Sequence, residues 1–410
     1  MANISSSNGI EKYPKLRFPQ FSDAWQQAPL SKYLEENTER NRKLTYDKTD
    51  VLSVSGEFGI VNQIALQGRS FAGESVAEYH IVYAGDIVYT KSPLKANPYG
   101  IIKTNNGIPG IVSTLYAVYH PLSTVVPRFV EYYFCNNLRL NKFLKPLVNI
   151  GAKHDMKVNN EFVLTGDVTF PSFAEQQRIV DFLSVIDKKI EKQQMLVENL
   201  KKYKRGVVKT LLNPRKNKRP GVKWSTDTIG NLGNFIKGAP LSKADIADVG
   251  SPFILYGELY TTYREVVRHV VRKTEAHVDD VYLSQIGDVV IPTSGESPEE
   301  ISTASCIMIP NVILAGDLNI YRGTTVDGRI MSYLLNHIVN EQIARVAQGK
   351  SVVHVQASEI CKIAITYPDQ TEQERIAQIL ELTDKRITML EESLFSIQSI
   401  KNALLQQLFI

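Results

Sequence analysis

The chain has 410 residues, and its 43% hydrophobic and 22% charged content is typical of a folded protein with two or three domains. The three cysteines are far apart, which excludes a disulfide framework or a cysteine-based zinc site and indicates a reducing compartment. The first residues lack the apolar core of a signal peptide and no apolar run reaches the length of a membrane span, so we expect a cytoplasmic protein.

The first half of the chain predicts a globular α+β domain. After an approach segment that ends at Trp25, short stretches rich in β-branched and aromatic residues are bounded by Gly or Pro, and they predict strands at 51–54, 78–83, 86–90 and 113–119. A helix is predicted near 127–142, followed by a polar turn with glycine at 149–154. The net charge of the whole chain is only +4, but it is unevenly distributed.

A long helix is predicted from Ser172 to Leu212. Ser172 and Glu175 have the spacing of a capping box, and Asn213-Pro214 ends the helix. Between these signals, apolar residues recur at alternating steps of four and three, which is the heptad pattern of a coiled coil.

The second half repeats this order. An approach segment that ends at Trp224 is followed by predicted strands at 253–255, 288–292, 304–309 and 318–321, by a helix at 328–347, and by a polar turn at 348–351. Gly287-Asp288 in this half echoes Gly85-Asp86 in the first half, so the two halves are predicted to share a scaffold.

A second long helix begins after Pro368, and it repeats the first helix at an offset of 197 residues. Cap, heptad register and a lysine in the apolar seam all recur. Residues 172–212 carry nine basic and five acidic side chains, whereas 367–410 carry four and seven. The opposite charges predict that the two helices pair with each other, and the repeat predicts that they do so antiparallel.

No catalytic constellation is found in the sequence. Asn97-Pro98-Tyr99 lacks the second proline of an adenine-methyltransferase motif and is interpreted as a turn. No phosphate-binding G-x-x-x-x-G-K-[ST] loop or G-x-S-x-G nucleophile elbow occurs, and the histidines lack metal-ligand spacing. We therefore expect neither a cofactor nor a metal ion in this chain.

Two kinds of polar loop are candidates for contact with DNA, because their side chains are of the types that read base edges or hold phosphates. The loops that follow the repeated strand contribute Lys91, Ser92, Lys95 and Asn97 in the first half and Thr293, Ser294, Glu296 and Ser297 in the second. The turns before the long helices contribute Lys153, His154, Lys350, Ser351 and His354. The alternative is that these are ordinary surface loops. The basic end of the first helix, from Lys201 to Arg219, could follow phosphates, remain solvated, or pair with the acidic second helix.

The duplicated pattern resembles the specificity subunit of Type I restriction–modification enzymes. The resemblance is carried by Phe170-Pro171 and Glu175-Gln176-Gln177-Arg178-Ile179, and again by Tyr367-Pro368 and Glu372-Gln373-Glu374-Arg375-Ile376. It implies two recognition domains, 1–170 and 214–366, and two spacer helices, 171–213 and 367–410, packed as an antiparallel coiled coil with an internal pseudo-two-fold repeat.

The resemblance also implies a function. It implies a non-catalytic chain that reads a bipartite site in double-stranded DNA and binds two methyltransferase subunits and, in the full complex, restriction subunits. S-adenosylmethionine, ATP and Mg would belong to those partners, which carry adenine-N6 methyltransferase and ATP-dependent endonuclease activity.

Two alternatives remain open from the sequence. A self-contained DNA-modifying enzyme would bind S-adenosylmethionine without a partner. A coiled-coil scaffold with no DNA role would not retain random duplexes at low salt.

Overall fold

The computed structural model describes residues 13–150, 156–347 and 353–410, and it contains both helices and strands. The chain forms two compact units. Unit 1 is the described part of Met1–Lys192 together with Leu394–Ile410, and unit 2 is the described part of Gln193–Ser393. Among the described residues, none of the helices has the length and apolar character needed to cross a membrane.

Among the described residues, unit 1 has a four-stranded antiparallel sheet and four two-stranded pairs. Its strands are β1 (Gln26–Pro29), β2 (Leu34–Glu36), β3 (Leu52–Ser55), β4 (Gly59–Asn62), β5 (His80–Val82), β6 (Ile87–Thr90), β7 (Ile102–Thr104), β8 (Gly110–Val112), β9 (Tyr116–Pro121), β10 (Asn149–Ile150), β11 (Met156–Lys157) and β12 (Asp167–Phe170). The sheet has the order β2-β9-β6-β7, and its strand β6 is buried throughout because helices and neighbouring strands cover it.

The helices that begin in unit 1 are α1 (Gln63–Gln67), α2 (Pro127–Phe134), α3 (Asn137–Leu144), α4 (Asn160–Val163) and α5 (Phe173–Leu211). The single helix predicted over 127–142 is in fact two helices. The chain leaves helical geometry at Asn136, whose side chain accepts a hydrogen bond from the Arg139 amide and caps α3. An internal N-cap of this kind explains why one apolar pattern covers two short elements.

Unit 2 contains a five-stranded and a three-stranded sheet, with strand orders β14-β22-β18-β20-β16 and β17-β15-β21. Its strands are β13 (Trp224–Thr228), β14 (Gly233–Lys237), β15 (Ser251–Leu255), β16 (Val266–Val267), β17 (Arg272–Thr274), β18 (Asp288–Pro292), β19 (Ser294–Gly295), β20 (Ser305–Ile307), β21 (Ile313–Ala315), β22 (Leu318–Gly323), β23 (Val353–His354) and β24 (Ala364–Pro368). Its helices are α6 (Ile229–Leu232), α7 (Glu258–Thr261), α8 (Pro298–Ile301), α9 (Gly328–His337), α10 (Asn340–Val346), α11 (Ala357–Ile360) and α12 (Gln370–Leu408).

In each unit, the strand that enters the globular part pairs with the strand that leaves it. In unit 1, β1 and β12 are antiparallel, with Gln26 opposite Phe170. In unit 2, β13 and β24 are antiparallel, with Trp224 opposite Pro368. Each pair closes immediately before a long helix begins.

The helices α5 and α12 both have 39 residues, and both bounds of α12 lie 197 residues after those of α5. Glu175, in the first turn of α5, is nearly completely buried. Its carboxylate accepts hydrogen bonds from Arg17 at 2.8 and 2.7 Å and from the Trp25 indole at 3.3 Å. Glu175 therefore anchors the approach segment, and the predicted capping box with Ser172 is not among the hydrogen bonds of the described residues.

The two helices also contact each other within each unit. In unit 1, Lys401 of α12 lies 2.6 Å from Asp187 of α5. In unit 2, Lys204 lies 2.6 Å from Asp384, and the Gln193 side chain donates to the Leu390 carbonyl at 3.2 Å. Position along α12 increases as position along α5 decreases across the unit 2 contacts, so the helix segments within that unit run antiparallel.

Candidate nucleic-acid interface

The loop after β6 in unit 1 is organised around Asn97. The Asn97 carbonyl accepts from the amides of Leu94 and Gly100, both at 3.0 Å, and its side chain donates to Asn137 at 3.1 Å. Asn97 is buried, whereas Ser92 and Lys95 are exposed. Asn97 thus shapes the loop, while Ser92 and Lys95 are available to a ligand.

Lys91, at the start of the same loop, belongs to a polar cluster. Its ammonium donates to the Asn160 side-chain oxygen at 3.2 Å, and the Asn160 amide donates to Glu36 at 2.8 Å. Burial lowers the pKa of Lys91, and the nearby Glu36 carboxylate opposes that shift. The three side chains line one concave surface together with Thr114 and Asn159.

The corresponding loop in unit 2 brings three predicted site residues together. Ser294 on β19 is paired with His354 on β23, and Thr293 precedes Ser294. Asp317 binds both residues of the loop, because its carbonyl accepts from the Thr293 amide and its carboxylate from the Ser294 hydroxyl, each at 2.8 Å. Ser294 is buried, Thr293 half-buried and His354 exposed.

Two further predicted residues differ in their roles. Ser297 is the N-cap of α8, because its side chain accepts from the Glu300 amide at 3.2 Å. Glu296 is exposed, and its amide donates to the Glu300 carboxylate at 2.8 Å. Ser297 therefore stabilises the loop, and Glu296 presents its side chain to solvent. The remaining predicted residues, Lys153, His154, Lys350 and Ser351, lie outside the described residues.

The concave surface at Lys91 in unit 1 has a counterpart at Thr293 in unit 2. The two surfaces are built from corresponding elements of their units but are lined by different residues. In unit 1 the end of β2, the loop after β6 and the start of α4 supply Glu36, Lys91 and Asn160. In unit 2 the end of β14, the loop after β18 and the start of α11 supply Lys237, Thr293 and Ser358. Such a scaffold can present different hydrogen-bonding groups to different ligands.

Sequence reasoning missed Glu36, Asn160, Lys237 and Ser358. Glu36 and Lys237 lie at the ends of strands far from the loops in sequence, so no local motif indicates them. The consecutive residues Asn159 and Asn160 are a weak signal, because Asn159 also caps α4. Within the described residues, no group of three or more His, Cys, Asp or Glu side chains has an arrangement that could hold a metal ion.

Part of the basic end of α5 is occupied by pairing within unit 2. Lys201 contacts Glu391 at 2.7 Å, and Lys204 contacts Asp384 at 2.6 Å and Glu265 at 2.7 Å. These two cations stabilise the contact between the helices and the β16 segment. The remaining cations are exposed.

Comparison with known proteins relates this fold to solved structures. The chain is similar to the S subunit of the Type I restriction-modification system from M. genitalium, with a TM-score of 0.60 and 14% identity over 97% of this chain and 99% of that chain. A chain from a structural study of complex assembly and conformational transition of the type I R-M system matches with a TM-score of 0.53 and 14% identity, over 94% of this chain and 97% of that chain. At this level of identity the two likenesses establish the fold.

No curated protein sequence matches the chain. A family model does match, and it covers residues 221–399. That family is described as the Type I restriction modification DNA specificity domain. The resemblance predicted from the repeated helix openings is thereby confirmed, with the family match extending over residues 221–399.

Proposed function

We propose that this chain is the DNA-recognition subunit of a Type I restriction–modification complex and that it reads a bipartite site in double-stranded DNA. In this proposal, domains 1–170 and 214–366 each read one half of the site. The observation that carries the proposal is the pair of corresponding concave surfaces with different polar linings, at Lys91 in unit 1 and Thr293 in unit 2. One scaffold with two sets of hydrogen-bonding groups suits two different half-sites.

The exposed predicted residues are the proposed contacts. Lys95 and Ser92 in unit 1, and Glu296 and His354 in unit 2, project from loops or short strands into solvent. Lysine contacts phosphates or guanine, glutamate accepts from cytosine, and serine bonds to either kind of group. Asn97, Ser294 and Ser297 would act indirectly, by holding these loops in place.

The long helices are the proposed spacer, with an antiparallel coiled coil and a pseudo-two-fold repeat. The proposal is supported by reciprocal ion pairs, since Lys204 with Asp384 and Lys401 with Asp187 are the same pair of positions exchanged between helices. Such a pair inside an apolar seam fixes register.

The proposed partners are two methyltransferase subunits and, in the full complex, restriction subunits. Large apolar side chains on the long helices support a protein partner, because Val185, Leu382, Met389 and Phe395 are each at least 60% exposed. Exposed apolar residues of this kind mark interaction surfaces in soluble proteins. We propose that this chain itself is not catalytic and that S-adenosylmethionine, ATP and Mg act in the partners.

The test uses the full chain with and without a cognate methyltransferase subunit. Both preparations receive S-adenosylmethionine and genomic DNA from an unmethylated host, and methylated adenines are mapped by single-molecule sequencing. We expect methylation only in the mixture, at a motif with two defined halves and an undefined gap. Methyl transfer by the chain alone would support a self-contained enzyme, and failure of the chain to retain any duplex at low salt would support a scaffold.

A further inference from the structure

Among the described residues, six cations without an ion-pair partner surround the end of α5 in unit 2. These cations, which we call the helix-end basic patch, are Lys202, Arg205, Lys209, Arg215, Lys216 and Lys218. All six side chains are exposed, and none forms an ion pair among the described residues. Their neighbours Lys201, Lys204 and Arg219 are paired with carboxylates, so the patch is what remains after structural pairing.

The centre of the patch is concave and suited to an anion. Arg205, Lys209 and Lys216 line a depression whose wall also contains the amide side chains of Asn213 and Asn340. The acidic residue at this depression, Glu341, has an exposed ion-pair partner in Arg345 at 3.8 Å. Guanidinium, ammonium and amide groups together are the donors that hold phosphate oxygens.

The second long helix shows that helix termination does not require these charges. The positions 197 residues after Lys202, Arg205 and Lys209 are Ser399, Asn402 and Gln406. The last turn of α12 contains no basic residue, whereas that of α5 contains Lys209. The end of α12 has no basic residue of its own in the last turn, and the Arg139 guanidinium donates to the Ile410 carbonyl there at 2.9 Å, so compensation of a helix dipole does not account for as many as six cations around the end of α5.

We infer that the helix-end basic patch binds the phosphate backbone of duplex DNA independently of sequence. The inference rests on the proposed function, and it assigns an additional contact to unit 2 that unit 1 lacks. Lys202 and Lys209 are seven residues apart, about 10 Å along the helix, which matches the rise of about three base pairs. Neutralised phosphates release counterions, so each contact adds about −0.9 to the slope of log affinity against log salt.

The test replaces the three helix cations by the residues that α12 carries at the same positions. The variant is Lys202→Ser with Arg205→Asn and Lys209→Gln in the full chain. The matched control is Lys188→Ser with Lys189→Asn and Lys192→Gln, which removes the same charge from exposed positions of the same helix. Binding of a labelled duplex without the recognition motif is followed by fluorescence anisotropy over a range of salt concentrations.

We expect the patch variant to have a slope shallower by about 2.7, corresponding to three lost phosphate contacts, and the control to keep the wild-type slope. A wild-type slope in the patch variant would overturn the inference, as would equal changes in both variants. A patch variant that binds DNA normally but no longer sediments with the methyltransferase subunit would identify a protein-docking surface instead. If the wild-type chain binds no duplex at all, the proposed function itself fails.

Discussion

The Lys204 ammonium of α5 lies 2.6 Å from the Asp384 carboxylate of α12. The side chain of Lys204 is only 7% exposed and lies 2.7 Å from Glu265 as well. The reciprocal pair in unit 1, Lys401 with Asp187, is more open, with the lysine side chain 25% exposed. The two pairs therefore allow one interaction to be tested at two depths of burial.

Replacing Lys204 by methionine should destabilise unit 2 strongly. The change leaves the Asp384 and Glu265 carboxylates, 19% and 13% exposed, without the buried Lys204 cation, and breaking a buried pair costs about 3–5 kcal/mol. Lys401→Met should cost less, because water reaches that pair. The measurement is urea unfolding of the full chain, and Lys202→Met is the control because Lys202 is exposed and outside the ion pairs of the described residues. Equal losses from Lys204→Met and Lys202→Met would show that the buried pair does not stabilise the protein.

The stability of unit 2 should depend on pH through the carboxylate of Glu265. Burial alone would raise the pKa of Glu265, but the hydrogen bond with His337 and the Lys204 cation lower it to about 2, from an ordinary value of 4.5. A lowered folded-state pKa contributes stability above the unfolded pKa and loses it as pH falls through the folded pKa. The window is therefore from about 4.5 down to about 2.

The wild-type protein should lose more stability than Glu265→Gln across that window. The difference between pKa values corresponds to about 3 kcal/mol at most. Unfolding free energies of both proteins, measured by denaturant titration at several acidic pH values, give the comparison. Parallel pH profiles would mean that Glu265 does not carry the effect.

The sequence predicted those parts of the fold that local chemistry decides. The repeated Gly-Asp pairs are one example, because Asp86 and Asp288 each accept from the backbone amide three residues earlier at 2.8 Å. The preceding Gly85 and Gly287 have φ of 93° and 95°, which disfavours other residues. The first long helix was predicted over 172–212 and is found at Phe173–Leu211, because the heptad period of apolar residues extends over that range.

The site depends on long-range contacts that local patterns do not reveal. Lys91 was predicted from its loop, but its partner Asn160 lies 69 residues away. The Ser294 hydroxyl is of a type that can hydrogen-bond to a base, but in the structure it donates to the Asp317 carboxylate. Amino-acid composition identifies the polar loops. Tertiary packing decides which of their side chains can contact a ligand and which hold the loop in place.

Lys91 and Lys95 should differ in their effects on DNA recognition. Lys91 is held by Asn160 and is preorganised for one base, whereas Lys95 is exposed and suits a phosphate. Lys91→Ala should cost about 1–3 kcal/mol and relax one position of the motif, and Lys95→Ala should weaken all sequences equally with a shallower salt slope. Binding to a library of duplexes measures both, and the half-site proposed for unit 2 is the internal control. Unchanged affinity in both variants would place this loop away from DNA.

It should be possible to exchange residues 220–366, as one DNA-recognition unit, for the same region of a related protein. The closing pair of β13 and β24 holds this region together at its two ends, so a related sequence can replace it without altering the helices. We expect such a chimera to change one half of the methylated motif and to leave the other half intact, as read by single-molecule sequencing. A change in both halves would show that the readers are not independent.

The long helices should set the gap between the half-sites. Seven residues inserted between Ile190 and Leu200, and again between Ile387 and Ile397, keep every seam residue in phase, because seven is one heptad. The insertion lengthens each helix by about 10 Å, close to the rise of three base pairs. Both halves of the methylated motif should be kept, and the gap between them should widen by about that amount.

A four-residue insertion at the same places is the matched control. It adds length but introduces a stutter, which shifts the apolar seam out of register and should be tolerated less well. Circular dichroism shows whether each variant retains its helices, and single-molecule sequencing of methylated DNA gives the motif. If the seven-residue variant folds and keeps the original gap, the helices do not set the distance between the half-sites. If its half-site bases change instead, spacing and base recognition are not carried by separate parts of this protein, because lengthening the helices leaves every loop residue in place.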